Sequence, residues 1–440
     1  MSVRWRPALC AALSLPAFGV SPASRGEALA NEGETPLTLS LAAEVALRAN
    51  PELRAARAAI AESRGRLVQA GLWPNPELGV SGSTAVVLGD WTVGLGLAQR
   101  FPVAGRLGRA REVARLDLER ALAEARDFER RLVADVERSA ATLLSLERAI
   151  AARDRVIEAA RGLVVASSKR YEVAEVSEAD LNLLEIEVAR FEQERRLLEL
   201  ERRTEEISLN RLLQRPVDAP VAVRGDVEAA VFETRPAPEL SAAAIARRPD
   251  LRSLRLEVER ARGAAQLARA EAWEDWTVEA SYERNRGVID DAGLRLVDLD
   301  DLVGLSLRAP LPLWNRNQGR VAEALAAERR AAARLAALER AIQAEVATGL
   351  QRVQELARVA GEYREMLVPR SERNVELLAR AYRQGLAPIS AVVQAEQQLA
   401  DTSLRQARTL GELRQAEIEL EAAAAASPLL AADIPQEELP

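Results

Sequence analysis

The sequence predicts an α+β chain written twice: long antiparallel coiled-coil helices joined to four β-strands, two in each half. Three observations carry this. Blocks of the first half recur, in order, in the second. Residues 108–171 and 320–382 keep a helical apolar period with few helix breakers. Residues of about 76–102 and 274–312 switch to a period of two.

Composition supports this class and excludes others. The chain is 48% hydrophobic but only 3% aromatic, too few rings for one compact core of 440 residues. Alanine and leucine with 29% charged residues instead suit long packed helices. The 60 basic and 67 acidic residues are interspersed, so no basic field exists to hold nucleic acid. There is no His, and the one Cys is Cys10. The commonest general base and metal ligand is therefore missing, as are a disulfide and a thiolate cluster. No catalytic residue, cofactor or metal-ligand set is expected. The carboxylates fall on charged helix faces, where solvation explains them, and a carboxylate enzyme is set aside.

Taken in order, residues 1–30 read as an export signal. Arg4 and Arg6 precede the apolar "PALCAALSLPAFGV", and small residues allow cleavage after Ala23 or Ala30. No later run approaches the ~18 apolar residues of a membrane helix, so any span must be built from strands.

The first repeat covers 31–214 and the second 240–426, with a linker at 215–239 and a tail at 427–440 expected to be disordered. In "RANPELRAARAAIAESRGRLVQA" and "ARRPDLRSLRLEVERARGAAQLA", Pro51 matches Pro249, Leu53 matches Leu251, Arg54 matches Arg252 and Ala70 matches Ala268. "VGLGLAQRFPV" from Val93 answers "VGLSLRAPLPL" from Val303, and "YEVAEVSEADL" from Tyr171 answers "YRQGLAPISAV" from Tyr382. Each half reads as a short helix stopped before Pro51 or Pro249, a helix to near Trp73 or Trp273, two strands, a very long helix, a turn and a second long helix.

In the first long stretch Leu107, Ala110, Ala114, Leu118, Ala121, Ala125, Phe128, Leu132, Val136, Ala140 and Leu143 step by threes and fours. At 1.5 Å per residue this helix would be roughly 90–100 Å long. Its counterpart meets only Gly349, Gly361 and Pro369. Helices of this length pack side by side and span distance.

The strands alternate. Leu78, Val80, Val86 and Leu88, then Trp91, Val93, Leu95 and Leu97, form an apolar face, with Gly79, Ser81, Ser83, Thr92, Gly94 and Gly96 opposite. The second copy sets Trp276, Val278, Ala280, Tyr282, Val303, Leu305 and Leu307 against Thr277, Glu279, Ser281, Gly304, Ser306 and Arg308. Residues 285–301 are expected to be a polar, acidic connection. Strands of about 9–11 residues can cross a membrane, but open edges are forbidden in lipid and four strands cannot close. Two chains would give eight strands with a bore largely filled by side chains, and three would give twelve, wide enough for a pore, which favours a trimer. Pro310 and Pro312 end the last strand, Trp314 suits a membrane interface, and Asn315 to Gln318 can satisfy backbone groups at the helix entry. Phe101, Pro102, Gly105 and Arg106 stand at the equivalent junction.

These features resemble the TolC-type outer-membrane efflux proteins over nearly the whole mature chain. The resemblance rests on the duplicated halves, a hairpin in each, and "RYEVAEVS" and "AYRQGLAP" at the helical turns. "LWPNPEL", "QRFPVAGRLGR" and "PLPLWNRNQGR" are most similar to the branch serving heavy-metal cation pumps of the cobalt-zinc-cadmium type. The resemblance implies a homotrimer in outer-membrane lipid, with a twelve-stranded transmembrane β-barrel and a periplasmic α-barrel. It implies a passive exit duct of a tripartite system with an inner-membrane pump and a periplasmic adaptor. Carried over, Tyr171, Ala174, Val176 and Ser177 at the first turn, and Tyr382, Gly385, Ala387 and Pro388 at the second, would meet the adaptor. The family usually has Gly where Ala174 stands and a small hydroxyl residue where Pro388 stands. A periplasmic coiled-coil scaffold or adhesin without a pore is the alternative.

Overall fold

A computed structural model describes residues 37–85, 90–225, 235–291 and 294–426, with side chains of 288–295 excepted. The export segment, Val86 and Leu88 of the first hairpin, residues 226–234 of the linker and the 427–440 tail lie outside the described residues.

The chain opens with α1 (Leu39–Ala49) and α2 (Pro51–Ala70). Asn50 joins them. Its Oδ1 accepts from the N–H groups of Glu52 (2.8 Å) and Leu53 (3.1 Å), and Pro51 occupies the first helical position, where a missing N–H leaves nothing unpaired. In the second half α5 (Ala237–Arg247) and α6 (Pro249–Ala270) repeat the arrangement. There Arg248 replaces the asparagine, and its buried guanidinium holds Asp250 and Glu345 and donates to the Ala423 carbonyl.

The long helices follow the predicted period. α3 (Arg106–Glu172) runs 67 residues, about 100 Å. α4 (Glu178–Leu213) returns antiparallel along it, as the Arg161–Glu192 and Arg153–Glu194 ion pairs show. The counterpart rod is not continuous. α7 (Gln318–Glu362) passes through a π-helical turn, Tyr363–Leu367, into α8 (Val368–Arg383), and α9 (Ile389–Ala423) returns. Pro369 supplies the reason: it lacks an N–H and its ring clashes with the carbonyl four residues back, which the wider turn relieves.

Two buried clusters anchor the helices at mid-height. One packs α1 Ala42, Ala43 and Ala46 on Val136, Ala140 and Leu143 of α3 and Leu209 and Leu213 of α4. The other packs α5 Leu240 and Ala244 on Ile342, Val346 and Leu350 of α7 and Ala416 and Leu420 of α9. Small residues let the rods approach closely, and α9 lies along both α3 and α4, with Phe191 and Ala400 buried in that seam.

The strands β1 (Glu77–Thr84), β2 (Trp91–Phe101), β3 (Trp276–Asp291) and β4 (Leu294–Arg308) form one antiparallel sheet in sequence order. One expectation is corrected. Residues 285–291 and 294–301 are strand rather than loop: Asn285 pairs with Asp300, Gly287 with Asp298 and Val288 with Val297, so the second hairpin stays in register as far as Asp291 and Leu294. Cross-strand pairs such as Arg284–Asp301 (2.8 Å) add to the backbone ladder there.

Candidate functional site: sheet faces, junctions and helical tips

The register settles the two faces of the sheet. Leu78–Leu97–Ala280–Leu305 and Val80–Leu95–Tyr282–Val303 lie in rows across all four strands. Their side chains are bare: Val303 is 85% and Leu305 81% exposed. Gly79–Gly96–Ser281–Gly304 and Ser81–Gly94–Glu283–Leu302 occupy the alternate rows on the other face. A Cβ at Gly94 or Gly304 would collide with the hydroxyl of Ser81 or Ser281, so these glycines make room on that face. Trp91 and Phe101 bound the apolar face of β2. The ten steps between them rise about 33 Å, or ~25 Å at the ~40° tilt of barrel strands, the height of a lipid-facing band. Beyond the aliphatic rows, Tyr282 Oη donates to Asp301 Oδ1 (2.9 Å), which also receives Arg284.

The junctions lie at the other end of the sheet. Trp73 meets Phe101 edge to face at 6.0 Å. Pro102 follows the last residue of β2, and Ala104 and Gly105 both take left-handed φ before α3 begins. Arg106 ties this junction to the second half through Asp275 (2.8 Å). In the second copy β4 ends two residues before Pro310, and Leu313 N–H donates to the Leu311 carbonyl across Pro312. Trp314 is 88% exposed. Asn315 Oδ1 accepts from Asn317 N–H and Gln318 Oε1 from Arg316 N–H, while Asn317, itself left-handed, donates from its side chain to the Ala268 carbonyl. The Asn-Arg-Asn-Gln run thus closes the helix entry with its own side chains.

The two tips share one geometry. Ala174 N–H donates to Tyr171 O and Glu175 N–H to Arg170 O; Gly385 N–H donates to Tyr382 O and Leu386 N–H to Ala381 O. These are paired helix-ending turns with Ala174 at φ 57° and Gly385 at φ 74°. Ser177 caps α4 through Asp180 N–H, whereas Pro388 starts α9 by its fixed φ with no side-chain cap. Tyr171, Ala174, Ser177, Gly385 and Pro388 are exposed, and Val176 and Ala387 half-buried. Tyr382 is not at the surface: it is buried against Leu184, Ile389 and Val392, with Arg170 over its ring at 5.0 Å. Within the chain its ring packs inward rather than into solvent. Sequence reading overlooked Val173 and Leu386, the bare apolar side chains of the two turns, because turn residues carry no periodic signal.

Among the described residues no helix is long and apolar enough to cross a membrane, and no cluster of His, Cys, Asp and Glu could hold a metal ion. An open sheet with contiguous aliphatic rows, carried on rods of about 100 Å, defines a long helical protein with a membrane-compatible sheet at one end. The chain belongs to the outer membrane efflux protein family, whose model matches residues 42–214 and 240–426. It is accordingly an outer-membrane efflux duct with a periplasmic helical part. The cobalt-zinc-cadmium resistance protein CzcC of Cupriavidus metallidurans is 26% identical over 328 residues, covering 72% of this chain and 74% of that protein. Among solved structures, the channel CusC superposes with a TM-score of 0.74 at 16% identity, covering 88% of this chain and 91% of CusC. VceC of Vibrio cholerae gives 0.72 at 20% identity, covering 88% and 95%.

Proposed function

We propose that three copies of this chain close a twelve-stranded barrel and stack their helices into a periplasmic tunnel, forming the passive exit of a tripartite efflux system. The observation that carries this is the open sheet. β1 and β4 each present an unpaired edge beside a face with contiguous aliphatic rows, and free backbone groups are untenable in lipid. Pairing β4 of one copy with β1 of the next removes every edge, and twelve strands leave a bore. The helices carry a matching signal. Leu183, Ile186, Leu197, Leu200 and Ile207 form an exposed stripe along α4, one that a neighbouring copy would cover. The repeated element order of the two halves supports an internal duplication, which would give the tunnel wall near-equivalent hairpins.

The tips, with Val173 and Leu386 bare, are the surface offered to a periplasmic adaptor, through which an inner-membrane pump would deliver substrate. Likeness to the cobalt-zinc-cadmium resistance protein supports divalent metal ions as cargo. The test is the mass of the detergent-extracted mature chain together with disulfide trapping between a cysteine on β1 and a cysteine series along residues 302–307 of β4. Trimers crosslinked through these edges are expected. A water-soluble monomer overturns the barrel. Loss of cobalt, zinc or cadmium tolerance on deletion, without change in organic-solute tolerance, tests the cargo.

A further inference from the structure

Glu396 of α9 is 2% exposed, yet neither of its carboxylate oxygens has a hydrogen-bond partner. It lines a cleft between α3, α8 and α9, walled by small apolar residues such as Ala152, Val156 and Val375. Every packed element presents charge nearby, and none of it reaches a bond with Glu396. α3 places Arg148 and Arg155 on the cleft. Its Arg153 pairs through Nη2 with Glu194 and lies over the Phe191 ring, while Nη1 is buried without a hydrogen-bond partner and makes no bond to Glu396. α4 presents Glu187, which already receives Arg190 and, from α9, Gln397 (2.9 Å). α8 presents Glu372, and α9 itself carries Asp401 one turn on.

A neutral carboxyl group fits this place. An ionised one would stand dry, without a donor and beside the Glu187 carboxylate, and a buried unpaired charge is among the costliest groups a fold can hold. The cleft offers the relief, because water can enter along it. Its yielding wall is α8, whose helical ladder is already interrupted: Val368, directly after the π-helical turn, lines the cleft. We propose that Glu396 is a proton-sensitive latch on the seam of α9 with α3, α4 and α8, closed while the carboxyl is neutral and opened to water when it ionises. Burial, with Glu187 adding to it, pushes this carboxyl up to about 7, within the range the periplasm meets. The burial is complete within one chain, so the latch does not depend on the trimer.

The test is amide exchange of the full chain in detergent, at pH 6 and pH 8, corrected for the intrinsic rate. In the wild type, residues 390–403 should open about tenfold more at pH 8, as a carboxyl that must discharge its proton into a closed seam requires. Glu396→Gln cannot ionise and should flatten that rise. Glu137→Gln, which removes a second raised carboxyl higher on α3, should leave it intact. A flat wild type, a Glu396→Gln variant that keeps the rise, or a Glu137→Gln variant that abolishes it would each overturn the latch.

Discussion

Ser167 Oγ lies 3.0 Å from Tyr382 Oη, both buried, where the first long helix meets the end of the second at the foot of the molecule. This is a bond between halves, since α3 ends one tip and α8 the other. Arg170 adds its guanidinium over the same ring and donates to the Tyr382 carbonyl (3.3 Å).

Tyr382→Phe therefore leaves the Ser167 hydroxyl buried without its partner and should destabilise the tip seam by ~1–2 kcal/mol. Ser167→Ala should cost about the same, and the double variant little more than either alone. Denaturant unfolding of the three variants checks this. Fully additive losses would mean that the pair is not coupled.

Val93→Arg or Leu305→Arg puts a charge on the apolar face and should lower membrane insertion, by about 2–4 kcal/mol near the bilayer midplane. Thr92→Arg, on the opposite face, should insert nearly normally. The yield of detergent-extractable, heat-modifiable protein measures both, and equal damage from the two faces would reverse the assigned orientation.

Gly385→Val should impair efflux while leaving the membrane yield unchanged. No neighbour stands within 4 Å of a Cβ there, so the penalty is the left-handed φ, ~1–2 kcal/mol or more for a branched side chain. From sequence alone Ala174 looks tolerant of a side chain, and its φ of 57° shows the strain at which it carries one. Ala174→Gly should stabilise the first tip by up to ~1 kcal/mol, and Ala174→Val should be milder than Gly385→Val, because the alanine already bears the cost of a Cβ at positive φ and valine adds only the branch. An efflux-dependent growth assay alongside thermal unfolding distinguishes these outcomes.

Glu137 sits half-buried beside Glu421, and desolvation first, then that neighbour, raises its carboxyl to about 7 against the opposing pull of Arg414. A carboxyl raised in the folded state binds its proton more tightly than in the unfolded chain. Its contribution is complete below the ordinary carboxylate range and is lost as pH climbs towards 7. Stability should therefore fall between pH 5 and pH 8, with roughly 2 kcal/mol of that fall removed in Glu137→Gln. Unfolding midpoints across this interval provide the measurement, and a wild type that gains stability with pH would contradict it.

The elements of this protein were legible in its residues because they are set locally. The 3.6-residue stripe from Leu107 to Leu143 makes α3, the alternation about Val93 and Leu305 makes the strands and their faces, and Pro51, Pro249, Asn315 and Gln318 set the joints. The family was legible for the same reason: a duplicated string of local signals survives where contacts are unknown. Tertiary structure decided the rest. Whether Tyr382 faces water or Ser167, whether Glu396 is solvated or sealed, and which rod yields at Pro369 all depend on how helices from distant parts of the chain align. The ribbon strands at 285–291 and 294–301 belong with these, because their acidic residues look like a loop until cross-strand partners pair them. Burial and pairing are properties of two surfaces in register, and a periodic sequence specifies each surface without specifying the register between them.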